Sequence, residues 1–343
     1  MLKLSVPSSA KTAHAATYLT AVRRALELLA GQQEVVIGYK HCTVAVHNPD
    51  VANYFAIHRS YNVSEERTIL TGDQSMLADL IRDERSYARG KGWNENTPPY
   101  RDCLTVLKHL FDYGRFKDGK GLMINKSGRI GYCKMATLPD GRTWGPYAYI
   151  DLLGLRYCPY CNAETVYSIK SLQPGLSVRS DLDHYYAQSR YPYLAISLAN
   201  IVPSCTRCNR DIKRTRELDP SVHASPFEIS VHENVKFSYD FLGDDIRIAF
   251  DYDERSLDAK RSMALLDFFS VADVYNQLFK QEARDILNRK RIYQSSYRQE
   301  LRNYMCDLTD AEFNRALLGT ALDDEDIDNV RLGKMLTDFL CDD

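Results

Sequence analysis

Tyr157-Cys-Pro-Tyr-Cys161, Leu182-Asp-His-Tyr-Tyr186 and Cys205-Thr-Arg-Cys-Asn209 lie within residues 157–216, and these three runs decide how the chain reads. Two cysteines separated by two residues turn both sulfurs to one side of a tight turn. Two such pairs supply the four thiolates of a tetrahedral zinc. Between them stands Asp183-His184, a hard carboxylate beside an imidazole. A regular strand through Leu182–Tyr186 would present Asp183 on one face and His184 on the other. For both to act on one group, the strand must end or twist there. Thr165–Ile169 reads as another strand and Ala187–Pro192 as a polar turn, and Asn209 opens a helix that carries Arg210, Lys213, Arg214 and Arg216.

The residue types suggest a division of roles. Cys158, Cys161, Cys205 and Cys208 suit structural zinc, whereas the Asp183 carboxylate and the Asn209 amide oxygen suit Mg²⁺ or Mn²⁺. Asn209 follows Cys208 directly, so a metal on the cysteines would fix its position. His184, with an ordinary pKa of roughly 6.5, is able to take a proton from water at neutral pH. Arg207, Arg210, Lys213 and Arg214, with Arg190 in the polar turn, are the expected contacts to nucleic-acid phosphates.

The order of two cysteines, Asp-His, Asn200, Pro203, two cysteines with Asn209, then Lys213 resembles the zinc-containing HNH, or ββα-metal, endonucleases. The arrangement of Cys158, Cys161, Asp183, Cys205, Cys208 and Asn209 is similar to endonuclease VII-type enzymes. Ser189, Tyr191-Pro192 and Asn200–Cys205 further resemble bacterial HNH proteins of anti-phage defence loci, among them the Septu-type HNH partner of an ATPase. The resemblance spans roughly 60 residues, Tyr157 to Arg216. It implies that His184 is the general base, that Asp183 and Asn209 hold the catalytic metal, and that Asn200 stiffens the loop and orients the base. It also implies DNA in preference to RNA as substrate, and a protein partner such as a defence-system ATPase, or self-association. Two positions depart from the pattern. Ala187-Gln188 stands where the subgroup has Pro-Lys, which removes a basic contact, and Asn209 replaces a histidine while keeping an oxygen donor.

Taken alone, the cysteines suit a purely structural zinc ribbon just as well. The alternatives to a nuclease are a non-catalytic zinc-stabilised nucleic-acid-binding or scaffold protein, and a resolvase of branched DNA. Tyr185, Tyr186, Tyr191 and Tyr193 read either as base-stacking residues or as a half-buried strand and turn.

Composition sets the frame. With 343 residues, 44% hydrophobic and 26% charged, the chain is long for one compact core, and its net charge of −2 exerts no global pull on a polyanion. Basic residues crowd 156–216, and acidic ones crowd the end. No run is apolar enough for a signal peptide or a membrane span, so a cytoplasmic protein is expected. Reduced thiols follow, and Cys42, Cys103, Cys133, Cys306 and Cys341 read as buried small side chains.

The flanks carry no comparable motif. Leu19, Val22, Leu26 and Leu29 predict a helix ending at Gly31, a residue suited to a left-handed turn. Glu34–His47 predicts one or two strands closed by Asn48-Pro-Asp, and Ser64–Arg67, Ser75–Ala88 and Tyr100–Tyr113 predict helices. Residues 90–99 form a loop, and Gly121–Tyr132 forms two strands about Lys-Ser-Gly. His14, His41, His47, His58 and His109 read as surface or satisfied core histidines. Beyond the motif, strand-like alternation covers Pro226–Asn234, Val235–Phe241 and Ile246–Phe250, and helices follow from Ala259. The fold class is α+β: an N-terminal α+β region (1–147), a zinc-stapled ββα-metal module (148–226) and a mainly helical C-terminal region (227–343).

Overall fold

The computed structural model describes residues 1, 3–37, 47–170, 177–243, 245–293, 295–305, 307–319 and 324–341. It is a mixed α+β fold. Helix α1 (Ser8–Ala30) buries Leu19, Val22, Leu26 and Leu29. It stops at Gly31, but the left-handed residue is Gln32, with φ 58°. Strand β1 is limited to Val36–Ile37, and the rest of the expected strand, with His41, lies at 38–46, outside the described residues. Asn48 does not end a strand. Its side chain accepts the Asp50 amide at 2.9 Å and caps helix α2 (Pro49–Ser60), with Pro49 in the first turn. Residues 64–67 form a turn rather than a helix. Helices α3 (Gln74–Gly90), α4 (Pro98–Leu110) and α5 (Tyr113–Lys117) follow, then strands β2 (Lys120–Ile124) and β3 (Arg129–Lys134). These two pair antiparallel about the Lys-Ser-Gly turn, and β1 joins β3 in parallel.

Helix α6 (Pro146–Leu153) leads to the first cysteine pair. Strands β4 (Ser168–Lys170) and β5 (Ser177–Arg179) pair with each other, as do β6 (Asp181–His184) and β7 (Ile201–Ser204). After β7 the chain enters a helical stretch, Arg207–Lys213. Pro226–Asn234 is not extended: it turns and forms helix α7 (Val231–Asn234). The hairpin of β8 (Val235–Leu242) and β9 (Asp245–Tyr252) packs against α8 (Leu257–Phe268), α9 (Val271–Leu278) and α10 (Lys280–Ile292). Helices Ser295–Tyr304, Asp310–Leu318 and Gly333–Cys341 (α11 to α13) complete the chain. No described helix is long and apolar enough to cross a membrane. Cys103 is buried as expected, but Cys133 is exposed on β3.

All three segments contribute to one continuous buried cluster, which includes Leu26, Trp144, Tyr149, Cys158, Leu198, Phe269 and Met335. His14 shows how tightly the first segment grips the second. Its Nδ1 accepts the Trp144 indole N–H at 3.1 Å, so its Nε2 carries the proton and donates to the Ile196 carbonyl at 2.7 Å. Burial lowers the pKa of His14 and of His58, also enclosed, to about 3. Each ring stays neutral in the folded chain and takes a proton near its ordinary pKa once unfolded. Their contribution to stability is therefore complete above about pH 6.5 and falls by about 1.4 kcal/mol per histidine for each pH unit down to pH 3. Chemical denaturation at pH 7 and pH 5 should show this loss. In the His14→Gln variant, which cannot be protonated, the loss should be smaller.

Candidate metal centre and adjoining site

The four cysteines come from two tight turns brought face to face. Asn162, left-handed at φ 52°, closes the first turn and donates its amide to the Cys158 carbonyl at 2.7 Å. In the second, the Cys208 amide points at the Cys205 sulfur at 3.4 Å, which stabilises negative charge there. The four sulfurs lie within 4.8 Å of one another, all buried, and Cys161 and Cys205 are 3.9 Å apart. Four bonds of about 2.3 Å at the tetrahedral angle would separate the sulfurs by about 3.8 Å. The cluster has the donors and the size to hold a metal such as zinc. Burial and the neighbouring sulfurs push the Cys158 thiol well up, while hydrogen bonds from the other three pull Cys161 well down. A central cation would let all four ionise.

The C-terminal region braces this cluster, which the sequence does not announce. Tyr275 donates its hydroxyl to the Cys161 carbonyl at 2.8 Å. The fully buried Asn162 side chain donates to the Ile327 carbonyl at 3.1 Å and accepts the Lys334 amide at 3.1 Å.

Next to the cluster, β6, β7 and the helical stretch after Cys208 form a strand, strand, helix unit. Asp183 pairs with Val202 and His184 with Ile201 across the ladder, and β6 ends at His184. The helical stretch is wider than an α-helix. The Arg214 amide reaches back five residues to the Asn209 carbonyl at 2.9 Å, and Arg214 leaves it left-handed at φ 52°. It begins before Asn209, so Asn209 lies within it and does not open it.

Asp183 is buried. Both of its oxygens accept from the Lys213 ammonium at 2.7 Å, and Oδ2 also accepts from the Tyr160 hydroxyl at 2.8 Å. Lys213 donates further to the His184 carbonyl at 2.6 Å. The expectation that Lys213 reaches a phosphate is therefore corrected: its ammonium is enclosed and spent on Asp183 and the backbone. The same bonds neutralise Asp183, the first ligand expected for Mg²⁺ or Mn²⁺, and occupy three of its roughly four acceptor positions, so it presents no open charged carboxylate. As arranged, Asp183, neutralised by Lys213, and Asn209, on a cavity that Asp183 does not line, do not fit such an ion.

His184 lies under the 185–200 connection. Its Nε2 is 2.8 Å from the Ala195 carbonyl, and the Tyr113 ring packs edge-on at 4.5 Å. Burial, the largest influence, lowers its pKa; the Ala195 carbonyl and the Asp183 charge oppose this. A neutral ring that donates from Nε2 keeps its lone pair on Nδ1. Asn200, fully buried, ties the connection together. It accepts the Tyr186 amide at 2.6 Å and donates to the Leu194 carbonyl at 2.9 Å and the Tyr186 carbonyl at 3.2 Å.

Asn209 is half-buried and lines an open cavity of about 640 Å³ with Asp181, Arg179, Arg207, Arg210 and Tyr113; neither Asp183 nor His184 lines it, though Tyr113, which packs on the His184 ring, does. Of the expected phosphate contacts, Arg207 pairs with Glu164 at 3.1 Å and Arg210 grips Asp181 through two bonds, of 2.7 and 2.5 Å. Exposed Arg214 donates to the Asp211 carbonyl at 2.8 Å. Arg190 pairs with Glu217 at 3.3 Å and faces a different cavity. Tyr185, Tyr186, Tyr191 and Tyr193 are all buried, which leaves their rings to the core rather than to bases. Sequence reasoning missed Tyr160, Lys213 as the partner of Asp183, and Asn162. Only the lysine at a four-residue step from Asn209 was a signal. The chain matches no protein-family model, no curated protein and no solved structure.

Proposed function

We propose that the chain is an HNH-type endonuclease that hydrolyses phosphodiester bonds in DNA, with zinc on Cys158, Cys161, Cys205 and Cys208 as a structural staple. One observation carries this reading: a neutral, oriented histidine stands at the end of a strand in a strand, strand, helix unit anchored by the four-cysteine cluster. The Ala195 carbonyl holds the Nε2 proton, so Nδ1 is the base. It takes a proton from water as the water oxygen bonds to phosphorus; the bond from phosphorus to the 3′ oxygen breaks, and that oxygen leaves with the bonding pair and takes a proton from solvent, giving 5′-phosphate and 3′-hydroxyl ends. Asn200 keeps the connection from shifting under the ring, and Asn209, Arg179 and Arg210 line the cavity where the strand would lie. By the same reading the protein acts in a bacterial anti-phage defence system beside a protein partner such as an ATPase.

A second reading has its own support. The Lys213–Asp183 lock leaves no open carboxylate for a metal, which favours a zinc-stapled protein that binds nucleic acid without turnover. Incubation with supercoiled plasmid, with and without added Mg²⁺ or Mn²⁺, separates the two. The nuclease reading expects nicked and linear products with 5′-phosphates. Retarded but intact plasmid under every condition would favour the second reading.

A further inference from the structure

On the far side of the 185–200 connection, a cavity of about 380 Å³ opens between α3, the 91–97 loop and the connection itself. Glu84 lines it and is only 1% exposed. Its oxygens accept the hydroxyls of Tyr54 at 2.8 Å and Tyr193 at 3.5 Å. Burial raises its pKa, and the carboxyl keeps acceptor positions beyond these two bonds for a donor in the cavity. Half-buried Trp93 and Tyr100 line it too, their ring centroids 6.4 Å apart. Three guanidinium groups, of Arg85, Arg89 and Arg190, line it as well. Arg190 is paired with Glu217, whereas exposed Arg89 has no carboxylate partner among the described residues.

Each feature narrows the ligand. Aromatic rings at a cavity wall favour a planar group. A buried acceptor with positions to spare favours an N–H or O–H donor over an apolar occupant. Three lining arginines, against the Glu95 carboxylate on the same wall, favour an anion, phosphate above all. A planar heterocycle with an N–H edge and an attached phosphate meets all three, and the volume suits one such unit.

We infer that this cavity binds a single unpaired nucleotide, its base against Trp93 and Tyr100, an N–H of the base toward Glu84, and its phosphate on Arg89. The inference does not depend on the nuclease reading. It bears on the same machinery, because Arg190 and Tyr193 belong to the connection whose Ala195 carbonyl orients His184. Two sources present this chemistry, a nucleotide free in solution and one unit of a single strand.

Trp93 is one of two tryptophans, and the other, Trp144, is buried, so intrinsic fluorescence reports on the cavity. The full chain would be titrated, without added divalent ions, with AMP, GMP, CMP, UMP, inorganic phosphate and a single-stranded DNA hexamer. The expected result is saturable quenching by at least one nucleotide or the hexamer, with a Kd below about 1 mM. Affinity should fall at least tenfold in Arg89→Glu at an unchanged melting temperature. Trp93→Phe should lose the signal yet still bind in equilibrium dialysis. Tighter binding of the hexamer assigns the unit to a strand, and equal or tighter binding of a mononucleotide assigns it to a free ligand. No saturable quenching, undiminished affinity in Arg89→Glu, or equal competition by phosphate alone would overturn the inference.

Discussion

Replacing Cys205 with serine is expected to abolish zinc binding and cooperative folding together. The four sulfurs are buried and converge on one point, and they tie two segments about 45 residues apart to Tyr275 and to the turn before α13. A structural zinc of this kind contributes an apparent 10–16 kcal/mol or so, as much as the whole net stability of a typical domain. Zinc content should be one per chain in the wild type and near zero in the variant. The variant's melting transition should broaden or vanish, and a strong chelator should do the same to the wild type. An unchanged transition in Cys205→Ser would show that the cluster is not what holds the fold.

The second large effect is expected at Lys213. Lys213→Met leaves the Asp183 carboxylate buried with only Tyr160 as a donor, and stranding one member of a buried ion pair costs about 3–5 kcal/mol. Changing Asp183 to asparagine as well should recover most of that loss, because the pair is then removed as a unit. Denaturation of the two single variants and the double variant measures the coupling. If Lys213→Met proves as stable as the wild type, the ammonium does not hold Asp183 in solution, and the carboxylate is open to other partners.

Where the fold follows local rules, it was legible in the residues. The cysteine spacing, the β2–β3 hairpin about Lys-Ser-Gly, the end of α1 and the strand through Asp183 all rest on short-range chemistry that a sequence displays. What was hidden is tertiary. Asn48-Pro49 reads as a strand's end, and the Asn48 side-chain cap makes it a helix's start instead. Lys213 stands in a run of basic residues that reads as a phosphate-facing surface, and nothing local says that one ammonium turns inward to Asp183. Asn162 and Tyr275 are ordinary polar residues until the C-terminal helices arrive to use them. Of the candidate site, the donors were readable, but which of them are already engaged was not.

The proposed role of His184 as the hydrolytic base is tested by comparing wild type with His184→Ala on the same plasmid at the same zinc content and melting temperature. Cleavage is expected from the wild type and none from the variant, with binding to the plasmid retained. Equal cleavage by the two proteins would contradict it.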